Sequence, residues 1–231
     1  MEEAARAGAK EAIVVVDLDT GHLISQHFSI EGPLPGLEDM RLRPAVQEEP
    51  LGLGHAVLEA WEMVGDRPFF CILSDNLVRP EGDVLADLAA GSNNGDVSVM
   101  CLRELTDEFL EKYGVVVPSS DVVDRYLDLG GAVEKPGVAE APSRLGLVGR
   151  YLFTPEIFGI LEVTKPGTGD EIQLTDAIDE LGKRGRLRGY IAETDLLDVG
   201  TPPGLLKATV EFGLNRYGDD FADFMVRKAD G

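Results

Sequence analysis

Short runs of apolar residues alternate with helical patterns along most of this chain. The runs stand next to turn residues, and continuous apolar runs of this kind are typical of strands covered on both faces of a sheet. Strands are predicted at residues 12–17, 69–74, 97–102, 114–118, 145–153 and 187–193. Because strands and helices alternate, the sequence predicts an α/β fold with a mostly parallel sheet.

Helical spacing of apolar residues marks the segments between the strands. Leu174, Ile178 and Leu181 recur at the period of one helix face, and Asp170 can cap the N-terminus of that helix. Helices are predicted at residues 54–64, 82–91, 171–181 and 203–218.

The stretch 119–144 mixes Ser, Asp, Gly and Pro, and it is predicted to form loops and short edge strands. The sequence contains no internal repeat and no linker long enough to separate two domains. We therefore expect residues 1–231 to form a single domain.

The charge of the chain argues against several classes of partner. Asp and Glu number 42 and Lys and Arg number 21, which gives a net charge of −21. Nucleic-acid and anionic-membrane surfaces need clustered basic residues, so we expect neither partner.

No apolar run approaches the ~20 residues that span a bilayer. The first residues lack the regions of a signal peptide, and two cysteines cannot form a disulfide framework. These features predict a cytoplasmic protein.

A glycine-rich turn precedes the predicted helix at 54–64, in the segment QEEPLGLGHAVLEA. The backbone of the Gly52-x-Gly54 turn can approach a base or a phosphate closely, and a helix N-terminus favours anions. The alternative is a turn with a purely structural role.

Two aspartates follow apolar segments. Asp75 follows the strand at 69–74, and Asp198 follows Leu196 and Leu197. Ligands of open α/β sheets bind outside the carboxyl ends of strands, and carboxylates there can hold Mg²⁺ on a nucleotide phosphate. The alternatives are a helix cap for Asp75 and a turn for Asp198.

Glu134 and Lys135 are adjacent in the segment VEKPG. A carboxylate can accept hydrogen bonds from sugar hydroxyls, and an ammonium can bind a phosphate. The alternative is an ordinary surface ion pair.

Several of these segments, taken together and in order, resemble a known family. They are PLGLGHAV, a strand ending in Asp, YGVV, VEKP, APSxLxLVGRYLFTPEIF, TKPGTGDEIQLTDAI, DVG and LLKATVEF. The chain resembles the bacterial UTP–glucose-1-phosphate uridylyltransferases, which are sugar-nucleotide nucleotidyltransferases, over about residues 3–225. The resemblance implies a Rossmann-like three-layer α/β/α fold. It also implies a reaction of UTP with glucose 1-phosphate, with Mg²⁺, that gives UDP-glucose and pyrophosphate.

The resemblance also implies roles for residues on the nucleotide side. Gln47, Gly52 and Gly54 match the positions that contact uracil and ribose. Asp75 and Asp198 match the positions that hold Mg²⁺.

On the sugar side, Gly114 matches the position that approaches the hexose. Glu134 matches the residue that accepts sugar hydroxyls, and Lys135 matches the residue that binds the sugar phosphate. Asp75, Lys135 and Asp198 are thus the catalytic candidates. The resemblance divides the domain into a nucleotide-binding part (1–112), a sugar and metal part (113–200) and a C-terminal helix (201–231), and it implies a homo-oligomer.

One departure from the family concerns the N-terminal segment. Family members open with a strand and a G-x-G-T-R loop that grips the triphosphate, and this sequence has no such segment. The resemblance therefore implies an N-terminally truncated fold with an unpaired strand edge beside residues 12–17. We expect low stability, self-association or pairing with another chain as the consequence. We expect little or no uridylyltransferase activity from residues 1–231 as written. The alternative function is a non-catalytic, sugar-nucleotide-binding or regulatory homologue of a full-length paralogue.

Overall fold

The structure is a computed structural model that describes residues 1–24, 26, 37–79, 83–193 and 196–229. Its contacts divide the chain into two compact units. The first comprises Met1–Cys71 and Asp83–Ala192, and the second comprises Ile72–Gly82 and Glu193–Gly231. These bounds differ from the divisions expected after residues 112 and 200. The single domain at 1–231 stays a prediction.

Among the described residues, ten strands lie between residues 11 and 198. They are β1 (Glu11–Asp17), β2 (Arg41–Gln47), β3 (Phe69–Ile72), β4 (Asn76–Val78), β5 (Ser98–Glu104), β6 (Gly114–Pro118), β7 (Tyr126–Glu134), β8 (Leu145–Phe153), β9 (Leu187–Ile191) and β10 (Leu196–Asp198).

Helices lie between several of these strands and at both ends of the described chain. They are α1 (Glu2–Arg6), α2 (Leu53–Leu58), α3 (Trp61–Val64), α4 (Val84–Gly91), α5 (Asp107–Leu110), α6 (Glu156–Leu161), α7 (Leu174–Lys183) and α8 (Pro202–Ala229), with a 3-10 turn at Thr168–Asp170. Within the described residues, no helix has both the length and the apolar composition needed to cross a bilayer.

Six strands form a mixed sheet in the order β3-β8-β5-β9-β7-β6, in which β8 also pairs with β6. Strands β5 and β9 run parallel, whereas the pairs β5–β8, β7–β9 and β6–β7 run antiparallel. Strands β1 and β2 form a separate parallel pair. The expectation of a mostly parallel sheet was therefore wrong. Apolar runs indicate that both faces of a strand are covered, but they do not fix its direction.

Most predicted elements are present in the structure. Strands β6 and β8 have the predicted bounds, and β1, β3, β5 and β9 differ from theirs by one or two residues. The helix predicted at 54–64 is divided into α2 and α3, and the start of the one predicted at 82–91 lies partly outside the described residues. In α8, Gly218 has non-helical angles (φ 56°, ψ −135°), so the first helical stretch ends at the predicted residue.

The prediction of loops and short edge strands at 119–144 holds for residues 119–125 and 135–144, but it was wrong for residues 126–134. Strand β7 has nine residues and pairs with both β6 and β9. Its alternating pattern, with Leu127 and Leu129 buried, is interrupted by glycines. A β-carbon on Gly131 would collide with Oδ1 of Asp179, and one on Gly182 would collide with the backbone of Gly131. The glycines therefore allow α7 to pack closely against β7.

A buried ion pair ties α1 to β8. Nε of Arg150 lies 3.0 Å from Oε2 of Glu3, and the two side chains are 5% and 11% exposed. The other carboxylate oxygen of Glu3 is buried and has no hydrogen-bond partner in the described part of the chain. Loss of one member would leave the other charge buried without compensation.

We expect Arg150→Met to lower the free energy of unfolding by about 3–5 kcal/mol, because it leaves the Glu3 carboxylate buried and unpaired. Urea titration of the purified protein measures this. Arg184→Met is the matched control, since Arg184 forms exposed ion pairs with Glu156 and Glu180 and should cost about 1 kcal/mol or less. Equal losses in both variants would contradict a structural role for the buried pair.

Candidate functional site

Close backbone packing requires the glycines where the turn after β2 leads into α2. Gly52 has a φ of 102°, and a β-carbon on it would lie 2.8 Å from Cβ of Glu171. A β-carbon on Gly54 would lie 2.7 Å from the carbonyl oxygen of Ile172. The N–H of Gly54 donates to that carbonyl at 2.8 Å, and the N–H of Ile172 donates to the carbonyl of Leu51 at 2.7 Å. These contacts are sufficient to explain both glycines structurally, so their role toward a base stays a prediction.

Gln47 lies at the end of β2, beside this turn. Its amide nitrogen donates to the carbonyl oxygen of Gly52 at 3.1 Å and lies 3.0 Å from Nδ1 of His55. Nε2 of His55 lies 3.3 Å from Oε1 of Glu59. Sequence reasoning does not identify His55 or Glu59. The available signal is their spacing of four residues on the helical segment that follows the turn.

The predicted sugar-side residues converge at one end of β6 and β7. Gly114 opens β6, Glu134 ends β7, and the two residues are directly paired. Oγ1 of Thr175 donates to Oε2 of Glu134 at 2.6 Å. Oγ1 of Thr175 would also lie 3.0 Å from a β-carbon on Gly114. Larger residues at 114 would therefore crowd Thr175. Thr175 is a second residue that sequence reasoning does not identify.

Lys135 follows Glu134 at the end of β7. Its Nζ lies 3.1 Å from Oε1 of Glu134, so the ion pair expected as the structural alternative is present. The Lys135 side chain is 55% exposed, and its φ of 46° lies in the left-handed region. Non-glycine residues are uncommon there, and such positions cluster at functional sites.

The surroundings of Glu134 are acidic. Burial, together with the carboxylates of Glu134 and Asp179, raises the pKa of Asp176. Lys135 supplies a positive charge beside Glu134. An anionic ligand that approached this end of β7 would therefore find favourable charge at Lys135 and repulsion from the carboxylates around it.

Asp75 and Asp198 lie together in the second unit. Strands β4 and β10 pair antiparallel with Asp198 opposite Asn76, the residue after Asp75. One carboxylate oxygen of each aspartate lies 3.2 Å from the position of a β-carbon on Gly200, so the two oxygens are at most twice that distance apart. A side chain at 200 would fill the space between the carboxylates.

Backbone and amide groups hold both aspartates. The N–H of Gly200 donates to Oδ1 of Asp198 at 2.9 Å, and Nδ2 of Asn76 donates to Oδ1 of Asp75 at 2.7 Å. Two oriented carboxylates fit Mg²⁺, which proteins usually bind through one or two carboxylates while it keeps water and phosphate ligands. Over the described residues, no cluster of three or more His, Cys, Asp or Glu side chains could hold a metal by itself.

Comparison with known proteins gives consistent matches over nearly the whole chain. The family model for nucleotidyl transferases matches residues 1–213. UTP–glucose-1-phosphate uridylyltransferase 2 of Staphylococcus saprophyticus is 33% identical, and the match covers 98% of this chain and 84% of that protein. UTP–glucose-1-phosphate uridylyltransferase of Staphylococcus epidermidis is also 33% identical, over 93% of this chain and 80% of that protein.

Solved structures give the same result for the fold. A UDP-glucose pyrophosphorylase complexed with UDP-glucose superposes with a TM-score of 0.83 at 30% identity, covering 93% of this chain and 85% of that chain. The UTP-bound enzyme of Acinetobacter baumannii gives a TM-score of 0.79 at 28% identity, covering 97% and 85%. The predicted α/β nucleotidyltransferase fold is confirmed. The chain therefore belongs to the nucleotidyltransferase family, within the branch of the UTP–glucose-1-phosphate uridylyltransferases.

Proposed function

We propose that this protein transfers a uridylyl group from UTP to glucose 1-phosphate, giving UDP-glucose and pyrophosphate. The observation that carries the proposal is the 33% identity with the S. saprophyticus uridylyltransferase across 98% of this chain. The candidate nucleotide, sugar and metal residues that match this family are all present in the sequence.

The reaction is a displacement at phosphorus. A phosphate oxygen of glucose 1-phosphate attacks the α-phosphorus of UTP and forms the new P–O bond. The bond from that phosphorus to the β-phosphate oxygen breaks, and pyrophosphate leaves with the electron pair. Positioning and neutralisation of negative charge therefore matter more than acid–base chemistry.

The sugar-side residues would position the attacking phosphate. The backbone of Gly114 would approach the hexose, and the carboxylate of Glu134 would accept hydrogen bonds from its hydroxyls. Lys135 would bind the phosphate through its ammonium group, which is already beside Glu134. Gln47, with Gly52 and Gly54, would contact the uracil and ribose of UTP.

Asp75 and Asp198 would hold Mg²⁺. A divalent cation there supplies charge neutralisation to the phosphates. The metal assignment is supported by one carboxylate oxygen of each aspartate, which lies close to the position that a β-carbon on Gly200 would occupy. The protein would bind UTP and glucose 1-phosphate, and we expect it to bind neither nucleic acid nor a membrane. A homo-oligomer and a cytoplasmic location stay predictions from the resemblance and the sequence.

Pyrophosphate release from UTP and glucose 1-phosphate, with Mg²⁺, tests the proposed activity. Turnover by the 231 residues would support the proposal and would contradict the expectation of low activity. UDP-glucose binding without turnover would favour the non-catalytic alternative. If the protein showed no binding and no turnover, both functions would be contradicted.

We expect Asp198→Asn to raise the Mg²⁺ concentration needed for tight UTP binding. Loss of outer-shell partners alone costs metal sites roughly 10–100-fold in affinity, and loss of a direct ligand should cost at least as much. Titration of Mg²⁺ at fixed UTP measures the shift without requiring turnover. Asp219→Asn, an exposed aspartate of the same unit, is the control. An unchanged Mg²⁺ dependence in Asp198→Asn would rule out the metal assignment.

We expect Lys135→Ala to weaken glucose 1-phosphate binding by about 1.5–3 kcal/mol, the range for hydrogen bonds to charged groups. Calorimetric titration measures this. Lys112→Ala is matched to it, because Lys112 is also 55% exposed and also pairs with a glutamate, Glu108. If both variants bind as the parent protein does, Lys135 has only its ion-pair role.

A further inference from the structure

We propose that His55 and Glu59 are positioning residues that hold the amide of Gln47 in the orientation that selects uracil. The inference rests on the proposed function, in which Gln47 contacts the base of the nucleotide. It adds two residues that act through Gln47 and favour uracil over cytosine.

Glu59 fixes the position of the proton on the His55 ring. Its Oε1 lies 3.3 Å from Nε2 of His55, and the two side chains are 36% and 17% exposed. An ionised carboxylate only accepts hydrogen bonds, so it favours the proton on Nε2. In the neutral ring, Nδ1 is then an acceptor.

His55 in turn fixes the amide of Gln47. Two acceptors face its nitrogen, the carbonyl oxygen of Gly52 at 3.1 Å and Nδ1 of His55 at 3.0 Å. They use both amide protons. A flipped amide would place its oxygen against these two acceptors, which would be repulsive.

The group that Gln47 offers to a ligand is therefore its carbonyl oxygen. Within the described residues, the structure gives this oxygen no hydrogen-bond partner, and the side chain is only half-buried. A carbonyl oxygen can accept the N3–H of uracil. Cytosine has an acceptor at N3, so it would leave two acceptors facing each other at the same place. Thymine has the same N3–H as uracil and would not be distinguished.

The first test removes the acceptor from the His55 ring. We expect His55→Leu to lower the preference for UTP over CTP by roughly 3–10-fold, the effect of one net hydrogen bond. Equilibrium dissociation constants for UTP, CTP and dTTP, measured with Mg²⁺, give the two ratios. The UTP to dTTP ratio should not change. His55→Asn should restore most of the preference, because its side-chain oxygen can stand where Nδ1 stands.

The second test reverses the sign of the charge beside Nε2 of His55 by a substitution at an exposed position. In Glu59→Lys an ammonium, which only donates, replaces the acceptor beside Nε2. The proton then moves to Nδ1, and we expect the same loss of preference for UTP over CTP. Glu62→Lys is the matched control. Glu62 is exposed and lies three residues from Glu59, and its replacement by Lys changes the net charge by the same amount. Its ratio should remain that of the parent protein.

The outcomes separate this inference from the proposed function. Equal weakening of UTP and CTP binding in both His55→Leu and Glu59→Lys would overturn the inference, because it would indicate a merely structural role. A parent protein that binds UTP and CTP equally would also overturn it. Preferential UTP binding that depends on His55, without pyrophosphate release, would contradict the proposed activity and leave the inference standing.

Discussion

Close packing of residues 171–175 against two other segments determines the geometry of both candidate binding groups in the first unit. At one end, Ile172 exchanges backbone hydrogen bonds with the turn that contains Gly54. At the other end, Thr175 bonds to Glu134 and contacts the position where a side chain on Gly114 would lie. One short stretch of backbone thus sets the places of the predicted uracil and sugar contacts. Glycine is needed at 54 because any side chain there would break this packing.

The same principle extends along α7. Glycines at 131 and 182 let this helix approach β7 closely, and the carboxylate of Asp179 accepts the N–H of Ala132 at 3.1 Å. Glu134 and Thr175 therefore belong to two elements whose separation is fixed by backbone contacts. Rigid elements hold functional groups more precisely than loops do, which suits a reaction that depends on positioning.

Much of the fold could be predicted from sequence, and the misses have physical causes. Strand β8 could be predicted with its observed bounds because most of its nine residues are apolar, although Arg150 lies among them. Strand β7 was missed because its packing needs the glycines that usually signal a turn. The family resemblance predicts Gln47 and Glu134 as site residues. His55 and Thr175 emerge only from the side-chain contacts that they make with these two residues in the folded chain. Such contacts depend on tertiary structure, which the spacing of residues does not reveal.

The most direct measurement is a crystal structure of this protein with UDP-glucose and Mg²⁺. We expect N3 of the uracil within hydrogen-bond distance of the Gln47 carbonyl oxygen, and the hexose beside Gly114 with hydroxyls on Glu134. The cation should contact Asp75 and Asp198. A nucleotide bound away from Gln47, or a hexose that touches neither Gly114 nor Glu134, would contradict the proposed site.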